Sequence, residues 1–192
     1  MTEIDPRQRR NRLMLLGLFA LFFVPIALAM LLNAAGVRPA PDRARGELLQ
    51  PPADLRTLVP TLADGRAYRW NPAQRTWRIV ALAPADCGAP CARAAQGLDV
   101  AWELFGKDAR RVDVLWMCAS MTCTPPPATA RITTLRTLRD TPALRALAPT
   151  GTPAAGVPVL VIDPNGFVVL RYAAGFDPAH LRTDLARLLK TR

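Results

Sequence analysis

The apolar positions of this chain fall into two regimes. From Leu13 to Leu32 no charged residue occurs, and only Gly17 and Pro25 interrupt the apolar run. At a rise of about 1.5 Å per residue, a helix of that length covers the roughly 30 Å hydrocarbon core of a bilayer. The run therefore predicts one transmembrane helix over residues 13–34. Arg7, Arg9, Arg10 and Arg12 stand just ahead of it, a cluster that resists translocation and keeps residues 1–12 in the cytoplasm. The competing reading is a cleaved signal, because Ala27-Leu28-Ala29 has the small-x-small form of a cleavage site. The run exceeds the usual signal core of about 7–15 residues and continues through Met30, Leu31 and Leu32, which favours a retained anchor. Either way the remainder is exported, so the pattern predicts a single-pass protein of the bacterial inner membrane with its C-terminal part in the periplasm.

Past the anchor, apolar residues come in short runs separated by turn formers. Residues 35–60, with Pro39, Pro41, Pro51, Pro52 and Pro60, predict an extended Pro/Arg-rich tether. Leu62 to Arg66 reads as a turn and Arg66 to Trp70 as a short strand. Thr76 to Ala83, rich in β-branched and aromatic residues, predicts a buried strand. The loop Asp86-Cys87-Gly88-Ala89-Pro90-Cys91 follows. From Cys91 to Phe105 apolar residues recur at helical spacing (Ala94, Ala95, Leu98, Ala101, Trp102, Phe105), and Gly106 stands where a helix would stop.

Val112 to Met117 predicts a second buried strand, residues 128–147 a helix interrupted near Pro142, and Gly156 to Ile162 a third strand. Asp163-Pro164-Asn165-Gly166 is a hairpin turn leading into a returning strand, Phe167 to Tyr172. Asp177 as N-cap and Pro178 at the first position open an amphipathic helix with Leu181, Leu185, Leu188 and Leu189 on its core face. Strand, cysteine loop, helix, strand, helix, hairpin, helix is the thioredoxin-like plan. The predicted fold class is α/β: a single N-terminal transmembrane helix followed by a thioredoxin-like domain over residues 61–192. Trp70, Trp77, Trp102 and Trp116 are expected in or near its core.

Of the 192 residues about 150 lie beyond the anchor, enough for one domain with its own core. The net charge of +10 changes little in this picture. Lys107 and Lys190 are the only lysines, and the arginines are scattered rather than clustered with aromatics. An exported domain meets no nucleic acid, so the excess charge reads as the cytoplasmic cluster plus either arginine-biased codon usage or attraction to anionic lipid. No phosphate loop, serine triad or zinc signature is present.

All four cysteines lie in the exported part, where disulfides and thiol chemistry are permitted. Cys87 and Cys91 form a C-x3-C pair between a strand and a helix start. A helix N-terminus stabilises a thiolate, making it a nucleophile or a soft ligand for copper(I); a structural disulfide is the plainer alternative. Cys118 and Cys123, with Met117 and Met121 interleaved, form a C-x4-C set of soft donors. A local disulfide closing the loop before Pro125-Pro126-Pro127 is the preferred reading there. His180, the only histidine, reads as a surface residue of the last helix.

Three blocks carry a family resemblance: Gly46 to Pro52, the Cys87–Cys91 loop, and Val161 to Gly166 running through Arg171-Tyr172 and Asp177-Pro178 to Lys190. Over roughly residues 46–190 the chain resembles the Sco/SenC proteins, thioredoxin-like factors that help build the copper centre of cytochrome c oxidase. It is similar also to the short membrane-anchored Sco-like proteins encoded among oxidase assembly genes of proteobacteria. The resemblance implies an assembly factor on the periplasmic side, acting as a thiol–disulfide reductant or copper carrier through Cys87 and Cys91. Its partner would be an oxidase subunit or another assembly factor. It implies thiol–disulfide oxidoreductase activity at most, not a metabolic enzyme. Sco proteins complete their copper site with a histidine ahead of the hairpin, and residues 151–160 contain none. Val157-Pro158 stands where thioredoxins place a cis-proline against their cysteines, which keeps thiol exchange in view. The alternatives are a non-catalytic scaffold with structural cysteines and, further off, a general disulfide oxidoreductase.

Overall fold

The computed structural model describes residues 6–35, 44–120, 123–150 and 156–190. The chain divides into two units, residues 1–42 and 43–192. The first holds one helix, α1 (Pro6–Ala34), of 29 residues. Its stretch Arg10–Ala34 is, among the described residues, the one helix long and apolar enough to cross a membrane. The helix starts inside the arginine cluster rather than at Leu13, because arginine is a good helix former and Pro6 suits a first-turn position. Pro25 sits within it without ending it.

The second unit is built on one six-stranded sheet: β1 (Glu47–Asp54), β2 (Trp77–Ala83), β3 (Val112–Cys118), β4 (Leu135–Arg139), β5 (Val159–Ile162) and β6 (Phe167–Tyr172). Their spatial order is β1-β6-β5-β2-β3-β4. β2, β3 and β4 run parallel, β5 runs antiparallel to β2, and β6 runs antiparallel to β5. The helices are α2 (Ala89–Glu103), α3 (Pro142–Arg145) and α4 (Pro178–Leu188). Every residue of β2 is buried, as expected of a central strand covered on both faces.

Alternation along β2 divides the core in two. Trp77, Ile79, Ala81 and Ala83 face the layer of α2 and α4, where they join Ala95, Leu98, Leu181 and Leu185. Val80 and Leu82 face the other way, toward Leu138, Leu144, Leu160 and the aromatic Tyr68. Arg78 is buried among them at 1% exposure. Its guanidinium donates to the Tyr68 hydroxyl and to the carbonyls of Asp163 and Pro164, and it lies over the Trp70 ring. Tyr68 in turn donates to the Asp113 carboxylate at 2.7 Å.

Three elements differ from the expectation. Residues 47–54, expected in the tether, form edge strand β1, paired antiparallel with β6. An edge strand accommodates Pro51 and Pro52, whose missing N–H groups would weaken a central one, and the register shifts between Leu48 and Ala53 where they fall. Residues 36–43 of the expected tether lie outside the described residues. The helix expected over 128–147 is instead a short 3-10 turn, Pro127–Thr129, then β4 and α3. Thr133 and Thr134 precede β4, and a second parallel partner for β3 outweighs helix propensity there. Arg66 to Trp70 forms only an isolated bridge, Thr61 to Ala67. Its aromatics fold onto the sheet instead, and the Trp70 indole N–H donates to the carbonyls of Leu55 and Leu58 at 2.7 Å each.

Candidate redox site

The cysteine loop leaves the carboxyl end of β2 and turns into α2. Gly88 is the N-cap and contributes no side-chain cap, Pro90 occupies the first turn, and no acidic residue lies there. The positive end of α2 is therefore uncompensated, a setting that stabilises a thiolate. The structure brings Cys87 and Cys91 together at this point in a disulfide, with Cα atoms 5.4 Å apart. Cys91 is buried at 3% exposure in the core beneath α2, and Cys87 is half-buried against the same core. The more accessible sulfur thus belongs to Cys87.

Beside the disulfide runs a groove of about 410 Å³, lined by Pro90, Arg93, Gly97, Val157, Gly175 and Phe176 among others. Its floor is tight at Gly97, where a Cβ would stand 3.1 Å from the Pro178 ring, so α2 and α4 approach closely there. Arg93 adds positive charge two residues past Cys91.

The remaining candidates sit elsewhere. Pro158 corrects the expectation: the only cis peptide bond among the described residues is Gln50-Pro51, so Val157-Pro158 is trans. The Pro158 carbonyl accepts from Leu82 N–H at 3.0 Å and extends the β2–β5 ladder by one bond, which calls for a straight approach to β5. Val157, not Pro158, lines the groove. Cys118 and Cys123 form a second disulfide at the end of β3, with Cα atoms 5.5 Å apart. Met117 belongs to the opposite core cluster and cannot join them as a donor; Met121 lies outside the described residues. His180 is exposed, 3.7 Å from the Asp177 carboxylate, and lines a cleft with Glu47 and Arg171 that adjoins the groove at Ala174, Gly175 and Phe176.

In the disulfide form the two sulfurs of Cys87 and Cys91 are bonded to each other and hold no metal. Reduced, they are a soft two-donor set suited to copper(I). Among the described residues no group of three His, Cys, Asp or Glu side chains could hold a metal ion. The three-donor site of Sco proteins is thus not reproduced there, and residues 151–155, which contain no histidine, lie outside the described residues.

Four buried polar residues, Arg78, Asp99, Thr129 and Asp184, escaped the sequence reading. Asp184 is 3% exposed, and its Oδ2 accepts from Arg45 N–H, Gly46 N–H and the Tyr172 hydroxyl at 2.6, 2.9 and 2.7 Å. Burial, then the hydrogen bond to Asp184, pushes the Tyr172 phenol far above its ordinary range. Its signal was present: Asp184 falls on the apolar face with Leu181, Leu185 and Leu188. Arg78 likewise alternates with Val80 and Leu82 on an inward face.

A thioredoxin-like domain with a disulfide at the strand–helix turn, carried behind one helix able to cross a membrane, is the class that this fold and site define. The family model for the transmembrane-like, thioredoxin-like, C-terminal domain matches residues 77–192, and the chain belongs to that family. Comparison with curated proteins returned no match. Among solved structures, apo Sco1 from Thermus thermophilus is similar at 18% identity, covering 78% of this chain and 99% of its own, with a TM-score of 0.55. A SCO1/SenC family lipoprotein from Bacillus anthracis follows at 16% identity, covering 74% and 97%, TM-score 0.51. Arabidopsis thaliana ScoI with copper bound shares 13% identity over 78% of this chain and 100% of its own, TM-score 0.50. At these identities the likeness shows the fold.

Proposed function

We propose that this protein is an assembly factor for cytochrome c oxidase, held in the bacterial inner membrane with its N-terminus in the cytoplasm and its domain in the periplasm. It acts there as a thiol–disulfide reductant through Cys87 and Cys91. The observation that carries the reading is the disulfide at the uncapped N-terminus of α2, one sulfur accessible and the other buried. In the reduced protein the Cys87 thiolate attacks a target disulfide, forming a mixed disulfide and displacing one target sulfur, which takes a proton. Cys91 then attacks Cys87 and releases the second target sulfur as a thiol, leaving the Cys87–Cys91 bond seen here. The target gains two electrons and two protons, and an external dithiol must restore the pair. The groove beside the disulfide offers an apolar seat for the target chain, with Arg93 at its edge.

Copper(I) carriage is the second reading, favoured by the soft character of the reduced pair and by copper-bound Sco neighbours such as the Arabidopsis protein. Copper is then cargo held by two thiolates, not a resident cofactor.

The test is Cys87→Ser with Cys91→Ser, which nearly conserves volume and removes both exchange and thiolate binding. Cells carrying the double variant should lose oxidase activity when copper is scarce, while the variant stays abundant and resists alkaline extraction from membranes. A reporter active only outside the cytoplasm, fused after Arg192, should be active. Full oxidase activity at low copper would leave only a scaffold role.

A further inference from the structure

The carboxyl ends of β2, β3 and β4 lie side by side, and the end of β3 carries the second sulfur pair. Ala83 pairs with Cys118 across β2 and β3, and Cys118 pairs with Arg139 across β3 and β4. All three therefore sit in one row at the same edge of the sheet. Cys118 faces the α2 layer and belongs to the core cluster that holds Cys91, and Cys87 and Cys123 both pack against that cluster. Only three residues separate Ala83 from Cys87 along the chain.

The second disulfide is also built as an asymmetric pair. Cys118 is 4% exposed, whereas Cys123 is half-buried. Both line a cavity of about 110 Å³ together with Ser120, Arg139 and Asp140. Arg145 crosses the same edge, donating to the Ala83 carbonyl at 3.2 Å and to Asp140 at 2.7 Å. A disulfide meant only to close a loop needs no access cavity beside its sulfurs, and the leaving thiolate of such a pair governs how fast it is exchanged.

We propose that Cys118–Cys123 is a second redox centre, reduced from within the chain by the Cys87/Cys91 dithiol. The inference rests on the reading of Cys87 and Cys91 as redox-active. The Cys87 thiolate attacks the Cys123 sulfur, breaking the Cys118–Cys123 bond and leaving Cys118 as a thiolate that takes a proton. Cys91, deprotonated in turn, attacks Cys87, re-forms the first disulfide and frees Cys123, which takes that proton as a thiol. One dithiol is oxidised and one disulfide reduced, with protons conserved. No further oxidant is involved, and the dithiol that recharges the first pair is the external one already named. The domain then stores two pairs of electrons rather than one.

The test uses the full chain in detergent micelles, without air, with thiols read by maleimide labelling and peptide mass spectrometry. Cys91→Ser leaves Cys87 nothing to close on, so it should be trapped on Cys123 with Cys118 free. Recovery of free Cys87 with Cys118–Cys123 intact would overturn the proposal. The unaltered chain supplies a check that does not depend on the variant folding. A pulse of one equivalent of dithiothreitol, then removed, should place label first on Cys87 and Cys91 and later on Cys118 and Cys123. Label that stays on the first pair overturns the second centre and leaves the proposed function standing. A first pair that dithiothreitol does not open removes both.

Discussion

Asp184→Ala tests how the domain fastens its N-terminal end. Asp184 Oδ2 takes hydrogen bonds from two backbone N–H groups, of Arg45 and Gly46, and from the Tyr172 hydroxyl. Hydrogen bonds to a charged group contribute about 1.5–3 kcal/mol each. The three do not cost equally on removal. Arg45 and Gly46 stand at the start of the domain and can turn to water, which recovers most of their share. Tyr172 is 5% exposed, and its hydroxyl would be left buried without an acceptor, at a cost of about 1–3 kcal/mol. Alanine also removes the desolvation penalty of the buried carboxylate, which lowers the total. A net loss of about 1–3 kcal/mol follows. Urea unfolding of the full chain in micelles, followed by far-UV circular dichroism, reads it directly. Tyr172→Phe supplies the cross-check, since the two substitutions remove one shared bond and should couple by about 1 kcal/mol or more in a double-mutant cycle. A loss for Asp184→Ala below about 0.5 kcal/mol, or strict additivity with Tyr172→Phe, would refute the reasoning.

Two further outcomes are expected. Burial, then the Asp113 carboxylate, pushes the Tyr68 phenol up from 10.0 to about 12. A raised folded pKa means that the stabilisation is fully present below pH ~10, the unfolded value, and is lost as pH rises toward 12. Tyr68 should account for a loss of roughly 2–3 kcal/mol across that window, beside the loss due to the likewise raised Tyr172, and Tyr68→Phe, less stable at neutral pH for want of its bonds to Asp113 and Arg78, should lose less by that amount in a pH series of urea melts. Cys118→Ser with Cys123→Ser opens a loop whose ends are 5 residues apart in sequence, so chain-entropy reasoning gives a loss of about 2 kcal/mol; thermal melts showing no change would mean that the bond contributes nothing to the folded state.

Much of this fold could be read from local chemistry. β2, β3 and β5 are short runs of β-branched and aliphatic residues with no polar alternation except Arg78 and Asp113, as central strands require. The hairpin between β5 and β6 announced itself in Asn165-Gly166: Gly166 has φ of 95°, and Asp163 caps the turn by accepting from Asn165 N–H and Phe167 N–H. Asp177 caps α4 through Ala179 N–H at 2.8 Å, as its sequence position indicated. What was not legible depends on partners distant in sequence. Pro51 and Pro52 argue against a strand until β6 is known to lie beside them. Leu135 to Arg139 extends only because β3 offers a free parallel edge. The cysteines illustrate the same limit, since spacing placed Cys87 and Cys91 at a helix start, but nothing in C-x4-C tells that Cys118 would lie in register with Arg139.

The pairing of β1 with β6 decides where this protein can be cut. A soluble fragment beginning at residue 61, where the proline-rich stretch ends, would discard β1 and strip β6 of its outer neighbour. β6 would then present a free row of N–H and C=O groups beside Val168, Leu170 and Tyr172, the kind of open edge along which chains stack. Such a fragment should precipitate or form higher aggregates, although its sequence contains the whole of the matched family region. A fragment beginning at Ala44 keeps the edge covered and retains the Arg45 and Gly46 N–H groups that Asp184 holds. The half of the leader that looks most like disposable linker is the sheet's own shield against self-association.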